Sequence, residues 1–129
     1  MIRLASLFLF LACAEDGRQI PPASDLTLQL VTEDLHYPVD LTAPPGDEKR
    51  VFILEQAGRV RIVKEGKLLE KSFLNIVPKV SSGGERGLLG IAFHPQYSKN
   101  GRVFIHYSDR RGDTQISEFV VSSDPDLAN

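Results

Sequence analysis

The stretch Arg59-Val60-Arg61-Ile62-Val63-Lys64-Glu65-Gly66-Lys67 decides the fold class. Arg59 and Arg61 alternate with Val60 and Ile62, the period-two pattern of a strand with one wet face and one buried face. Lys64-Glu65-Gly66-Lys67 then has the composition of a tight hairpin turn, with Gly66 able to take the positive φ such turns demand. Immediately upstream, Val51–Glu55 reads as a strand that Ala57-Gly58 turns back, and Ala43-Pro44-Pro45-Gly46-Asp47 reads as a loop, because two prolines fix φ and remove two donors. Further upstream, Thr27–Thr32 is expected to be the first strand, with Leu28 and Leu30 on one face, ending before Glu33-Asp34 and a strand-breaking Tyr37-Pro38.

Downstream of the hairpin, Leu68–Val77 returns with a less regular pattern. After the loop Ser81-Ser82-Gly83-Gly84, the run Gly87–Phe93 is nearly all apolar, as expected of a strand buried on both faces. Tyr97–Gly101 is polar and turn-rich, Arg102–Ser108 is aromatic and β-branched, Arg110–Asp113 turns again, and Gln115–Ser122 alternates once more. Seven strand candidates joined mostly by short turns, with no convincing helix, make the chain all-β. Such meanders close as sandwiches, barrels or propeller blades, and about one and a half four-stranded blades would fit. No clean internal repeat is visible, which so short an arc does not require.

Composition narrows the function classes. The 129 residues are 42% hydrophobic and 25% charged, a balance that points to a globular chain rather than disorder or a polytopic membrane protein. Fifteen Lys and Arg against seventeen Asp and Glu give a formal charge of -2, so the basic patch that a phosphate backbone needs is missing and no nucleic-acid partner is expected. The single cysteine, Cys13, excludes an intramolecular disulfide and a cysteine zinc cluster.

Residues 1–13 read as a signal peptide or a lipoprotein signal. Arg3 precedes the apolar run Leu4–Ala12, which is too short to span a bilayer as a helix. Phe10-Leu11-Ala12-Cys13 resembles a lipobox, so Cys13 is the residue a lipid would modify; a plain cleaved signal is the alternative. Residues 14–25, with Gly17, Pro21, Pro22 and Ser24 and no apolar period, read as a flexible linker. The expected location is therefore exported, either periplasmic or as a membrane-anchored lipoprotein on the cell surface. Residues 26–129 remain as the folded part.

Gly83-Gly84-Glu85-Arg86-Gly87-Leu88-Leu89-Gly90-Ile91-Ala92-Phe93-His94-Pro95 closely resembles the signature of the glucose/sorbosone dehydrogenase family, whose relatives include aldose sugar dehydrogenases and Hedgehog-interacting-protein-like ectodomains. Glu55-Gln56-Ala57-Gly58-Arg59-Val60 upstream and Asn100-Gly101-Arg102-Val103-Phe104-Ile105-His106-Tyr107 downstream keep the family's order and spacing, so the resemblance spans about Leu35 to Val121. It implies a six-bladed β-propeller of which this chain is the N-terminal portion, one to two blades. Enzymatic members bind pyrroloquinoline quinone (PQQ) with the help of calcium and oxidise an aldose by hydride transfer to the quinone, handing electrons on to an acceptor. The histidine base of those enzymes lies further along the chain and has no counterpart here, so no catalytic residue and no metal ligand is assigned.

The resemblance implies two cofactor-proximal residues. Glu85 stands where soluble glucose dehydrogenases carry a glutamine that bonds at the quinone and sugar site; ionised Glu85 only accepts, whereas a glutamine also donates. Arg86 could hold a carboxylate-bearing cofactor in a bidentate fork, or close a loop salt bridge. The remaining candidates are read as structural. His94 is expected to fix the turn before Pro95, and His36 and His106 have no partners at metal-ligand spacing. The four nearby glycines lack the Lys-Ser or Lys-Thr of a phosphate loop, no Gly-x-Ser-x-Gly elbow is present, and Arg111-Gly112-Asp113 reads as a polar hairpin tip.

The leading expectation is thus part of a PQQ-dependent aldose dehydrogenase, inactive by itself. The alternatives are a non-catalytic extracellular propeller that binds protein or polysaccharide, or an inactive gene fragment. The cysteine-free region after Cys13 favours the bacterial branch over animal ectodomains with cysteine-rich flanks.

Overall fold

The computed structural model describes residues 27–129, so the signal, Cys13 and the 14–25 linker lie outside the described residues. Two antiparallel sheets pack face to face. The first contains β1 (Pro38–Thr42), β2 (Arg50–Glu55), β3 (Arg59–Lys64), β4 (Lys67–Leu68) and β5 (Leu74–Asn75), in the order β1-β2-β3-β4 with β5 also on β3. The second is β6 (Leu88–Phe93), β7 (Arg102–Ser108) and β8 (Thr114–Val120), ordered as a meander. A single helical turn, α1 (Tyr97–Asn100), links β6 to β7 and ends at Gly101, whose φ of 62° suits a glycine.

The central hairpin forms as its pattern dictates. β2 and β3 pair from Arg50 with Lys64 to Glu55 with Arg59, and Lys64 pairs with Lys67 across a two-residue turn. Glu65 and Gly66 both have positive φ there, 50° and 78°, the geometry whose twist matches the flanking strands. Alternation then puts Phe52, Leu54, Val60 and Ile62 on one face of the first sheet, against Leu88, Val103, Ile105 and Tyr107 of the second. Phe52 is the aromatic centre of this core, meeting Phe73 and Phe93 edge-on with ring centroids 4.9 Å away in each case.

Three expectations are corrected. Thr27–Thr32 forms no strand; the first strand is β1, and Pro38 opens it rather than blocking it. A proline is tolerated as the first residue of an edge strand, because no neighbour there needs its missing N–H. Leu68–Val77 is not one strand but two short pieces, β4 and β5, followed by a 3₁₀ turn over Val77–Lys79; both pieces pair with β3 around an intervening bulge. β6 is not buried on both faces: Leu88 is buried but Ala92 is exposed, because nothing among the described residues covers the Gly90 and Ala92 side of the second sheet.

The connections sort to two ends. The β2–β3 turn, the loop 81–87 and the β7–β8 turn share one end, tied by Arg110 Nε donating to Pro78 O at 2.9 Å and by Ser81 N donating to Ser108 O at 2.9 Å. The loop 43–49, α1 and the segment after β8 share the other, tied by Arg50 and Lys64 to Asp126.

Candidate functional site

At the first of these ends Gly83 and Arg86 exchange backbone hydrogen bonds of 3.0 and 3.1 Å, leaving Gly84 and Glu85 as the tip of a tight turn. Gly84 has φ 56°, a conformation a side chain would resist. The turn is held from below by Gln56, whose amide Nε2 donates to Gly84 O at 2.9 Å and to Arg86 O at 3.1 Å. Gln56 O in turn accepts from Leu88 N at 2.8 Å, and Ser108 N donates to Gly87 O at 2.8 Å, so both sheets grip the loop. Gly87 is required by close approach: a Cβ there would stand 2.7 Å from Gln56 O.

Glu85 and Arg86 are both exposed on this braced turn. Among the described residues neither side chain forms a hydrogen bond or ion pair, so Arg86 closes no salt bridge within the loop. The Arg86 guanidinium lies beside Gly112, where an added Cβ would be 3.5 Å from Nη1, so the turn and the β7–β8 tip border each other. Arg111 and Asp113 on that tip pair with one another at 3.4 Å, the geometry of a self-satisfied hairpin end.

Two residues with structural weight at this end were not singled out in the sequence. Gln56 is the brace just described. Glu55 is fully buried, with Oε1 accepting from His36 N at 3.0 Å and from Arg61 Nη1 at 3.4 Å, and Oε2 3.8 Å from Arg59 Nη1. The signal was present: a carboxylate ending the strand Val51–Leu54, with arginines four and six residues on that the hairpin brings opposite it. His94 Nδ1 accepts from Gln96 N at 3.0 Å and fixes the turn, while His106 lies on the uncovered side of the second sheet. No three His, Cys, Asp or Glu side chains converge as a metal site among the described residues.

The sequence profile of the Glucose / Sorbosone dehydrogenase family matches residues 35–127. The chain belongs to this family. Hedgehog-interacting protein of Mus musculus is 41% identical over 88 residues, covering 64% of this chain and 13% of that protein. A solved glucose dehydrogenase superposes with TM-score 0.67 at 25% identity, and the PQQ-bound form of an aldose sugar dehydrogenase from Streptomyces coelicolor with TM-score 0.65 at 23% identity; each match covers 79% of this chain and 30% of the other. This glucose/sorbosone dehydrogenase family chain therefore spans a small part of the relatives it matches, and its fold is the N-terminal portion of a six-bladed β-propeller.

Proposed function

We propose that this chain supplies the first blade and part of the second of a PQQ-dependent aldose dehydrogenase, and that the Glu85 turn faces the quinone and sugar. The observation that carries this reading is the turn itself: rigidly strapped to both sheets, yet presenting two charges with no partner among the described residues. A bound quinone would supply the acceptor for the hydride that leaves the sugar. The Glu85 carboxylate would accept a hydrogen bond from a sugar hydroxyl and orient it, and Arg86 would hold a carboxylate of the cofactor in a charge-assisted pair. The histidine base belongs to sequence outside this chain, and the electron acceptor is a partner of the full-length protein. No three His, Cys, Asp or Glu side chains converge to hold calcium among the described residues, and no step is assigned to it. Residues 1–13 act as the export signal, with Cys13 as the lipid attachment point if the lipobox is used, and 14–25 as the tether to a periplasmic or cell-surface domain.

The test is quinone-dependent aldose oxidation by the protein expressed from the intact reading frame, with Glu85→Ala and Arg86→Ala beside it. Loss of one charge-assisted hydrogen bond predicts a fall in kcat/KM of about 10- to 100-fold for Glu85→Ala, and weaker quinone binding for Arg86→Ala. Dye reduction that needs no quinone, or unchanged kinetics in both variants, refutes the assignment. A second reading, a propeller that binds a macromolecule without redox chemistry, is favoured by one comparison: 41% identity to Hedgehog-interacting protein against 23–25% to the solved dehydrogenases. A protein that ignores quinone and sugars while its propeller is folded supports that reading.

A further inference from the structure

Gln56, just past the end of β2, has its backbone fixed on both sides. Its N–H donates to Tyr37 O at 3.0 Å and its carbonyl accepts from Leu88 N at 2.8 Å, so the residue stays in place whatever its side chain does. The side-chain stem runs against Gly87, where an added Cβ would stand 2.5 Å from Gln56 Cγ; glycine there is what lets the stem pass toward the turn. Nε2 carries two protons and directs both at carbonyls of that turn, Gly84 O and Arg86 O. Those carbonyls belong to the peptide units on either side of the Glu85-Arg86 pair. One amide that holds both peptides therefore fixes where the two charged residues leave the backbone.

The fold itself gains little from this. Gly84 and Arg86 are exposed, so water would take up their carbonyls if the amide were gone. What water cannot do is hold the two peptides at one separation and one tilt, and a displacement of about 1 Å at a reacting site can cost 100-fold in rate. We propose that Gln56 is a positioning residue for sugar oxidation, setting the stance of Glu85 and Arg86 toward sugar and cofactor and acting only through them. This rests on the reading of the turn as facing quinone and sugar.

The test uses the protein expressed from the intact reading frame, assayed for PQQ-dependent oxidation across a panel of aldoses. Gln56→Glu keeps the shape but turns a carboxylate on two carbonyls, and Gln56→Ala removes the amide without adding a charge. Each is expected to lower kcat/KM about 10-fold or more. In a Glu85→Ala, Arg86→Ala background the same substitutions are expected to cost less than about 2-fold, because no charge is left to misplace. Amide exchange supplies a readout independent of turnover: the N–H groups of Gly83 and Arg86, which bond each other's carbonyls across the turn, should exchange about 10-fold faster, with β2, β3 and β7 unchanged. Wild-type kinetics in both Gln56 variants beside an impaired Glu85→Ala overturns the inference. So does an equal loss in the two backgrounds, or faster exchange spread through β2 and β7, either of which marks damage to the fold at large. A silent Glu85→Ala, or no PQQ-dependent oxidation of any aldose, defeats instead the reading of the turn, and Gln56 then has nothing to position.

Discussion

Glu55 carries its charge inside the fold because the β2–β3 hairpin sets Arg59 directly opposite it and Arg61 one step along the same face. Neither contact is short, at 3.8 and 3.4 Å, and Oε2 lacks a hydrogen-bond partner among the described residues, so the carboxylate mainly offsets two arginine charges and anchors His36 N. Truncating one member of a buried ion pair strands the others, which makes Glu55→Ala destabilising by about 3 kcal/mol. Glu55→Gln keeps an acceptor for His36 N and is expected to lose less. Urea unfolding of both variants checks the order; an alanine variant as stable as wild type would show that Arg59 and Arg61 reach water without it. At this scale the sequence was legible where a residue's own chemistry limits it, as with Gly66 in its turn. It was silent where the role depends on a contact from afar, as with Gln56, whose partners Gly84 and Arg86 lie about thirty residues on.

Among the elements, the ends of β2 and β3 are joined to the segment after β8 by a chain of charges. Asp47 and Asp126 flank Arg50 at 2.6 and 2.8 Å, and Lys64 reaches Asp126 at 2.6 Å, all with partly or largely shielded side chains. Burial alone would push the Asp126 carboxyl up, but the hydrogen bonds and charges of Lys64 and Arg50 outweigh it and hold the group below its ordinary value of 3.8. Asp47 is likewise lowered, burial being overcome by the N–H of Lys49 and by Arg50. A carboxyl lowered on folding contributes stability that is present above its unfolded value and lost as pH falls through the folded one. The urea midpoint should therefore hold steady from pH 7 to 5 and drop below about pH 4. Asp126→Asn should remove about 2 kcal/mol at neutral pH and flatten that acid limb; an unchanged limb would place the pH dependence elsewhere. Element identity was legible wherever alternation and a turn residue coincided, as in β3 and β7. Thr27–Thr32 was misread because alternation reports a strand's willingness to pair, not whether a partner lies within reach, and β1 was missed because its proline opens an edge strand, a setting that tolerates it.

At the scale of the whole molecule, each sheet has one face committed to the shared core; among the described residues the other face of the first is covered only in part, over Ile53 and Glu55, and that of the second is open. Leu41 is 65% exposed on the outer face of the first, beside Val51 and Ile53, and Ile116 is 73% exposed on that of the second, beside Ala92 and Phe104. A propeller buries such faces by closing; an arc of two sheets leaves them to water, together with the edges of β1 and β8. Their amino acids are ordinary for strands and only their position in a ring explains them, which is why the six-bladed architecture followed from the family resemblance rather than from periodicity. Residues 27–129 expressed alone should associate as concentration rises, with open face meeting open face. Leu41→Lys with Ile116→Lys, one charge on each face, should shift sedimentation toward monomer without disturbing the Phe52 core between the sheets. A wild-type fragment that stays monomeric with strongly protected amides in β1 and β8 would mean that two blades satisfy their own edges, and the closed ring would then be unnecessary for this part of the fold.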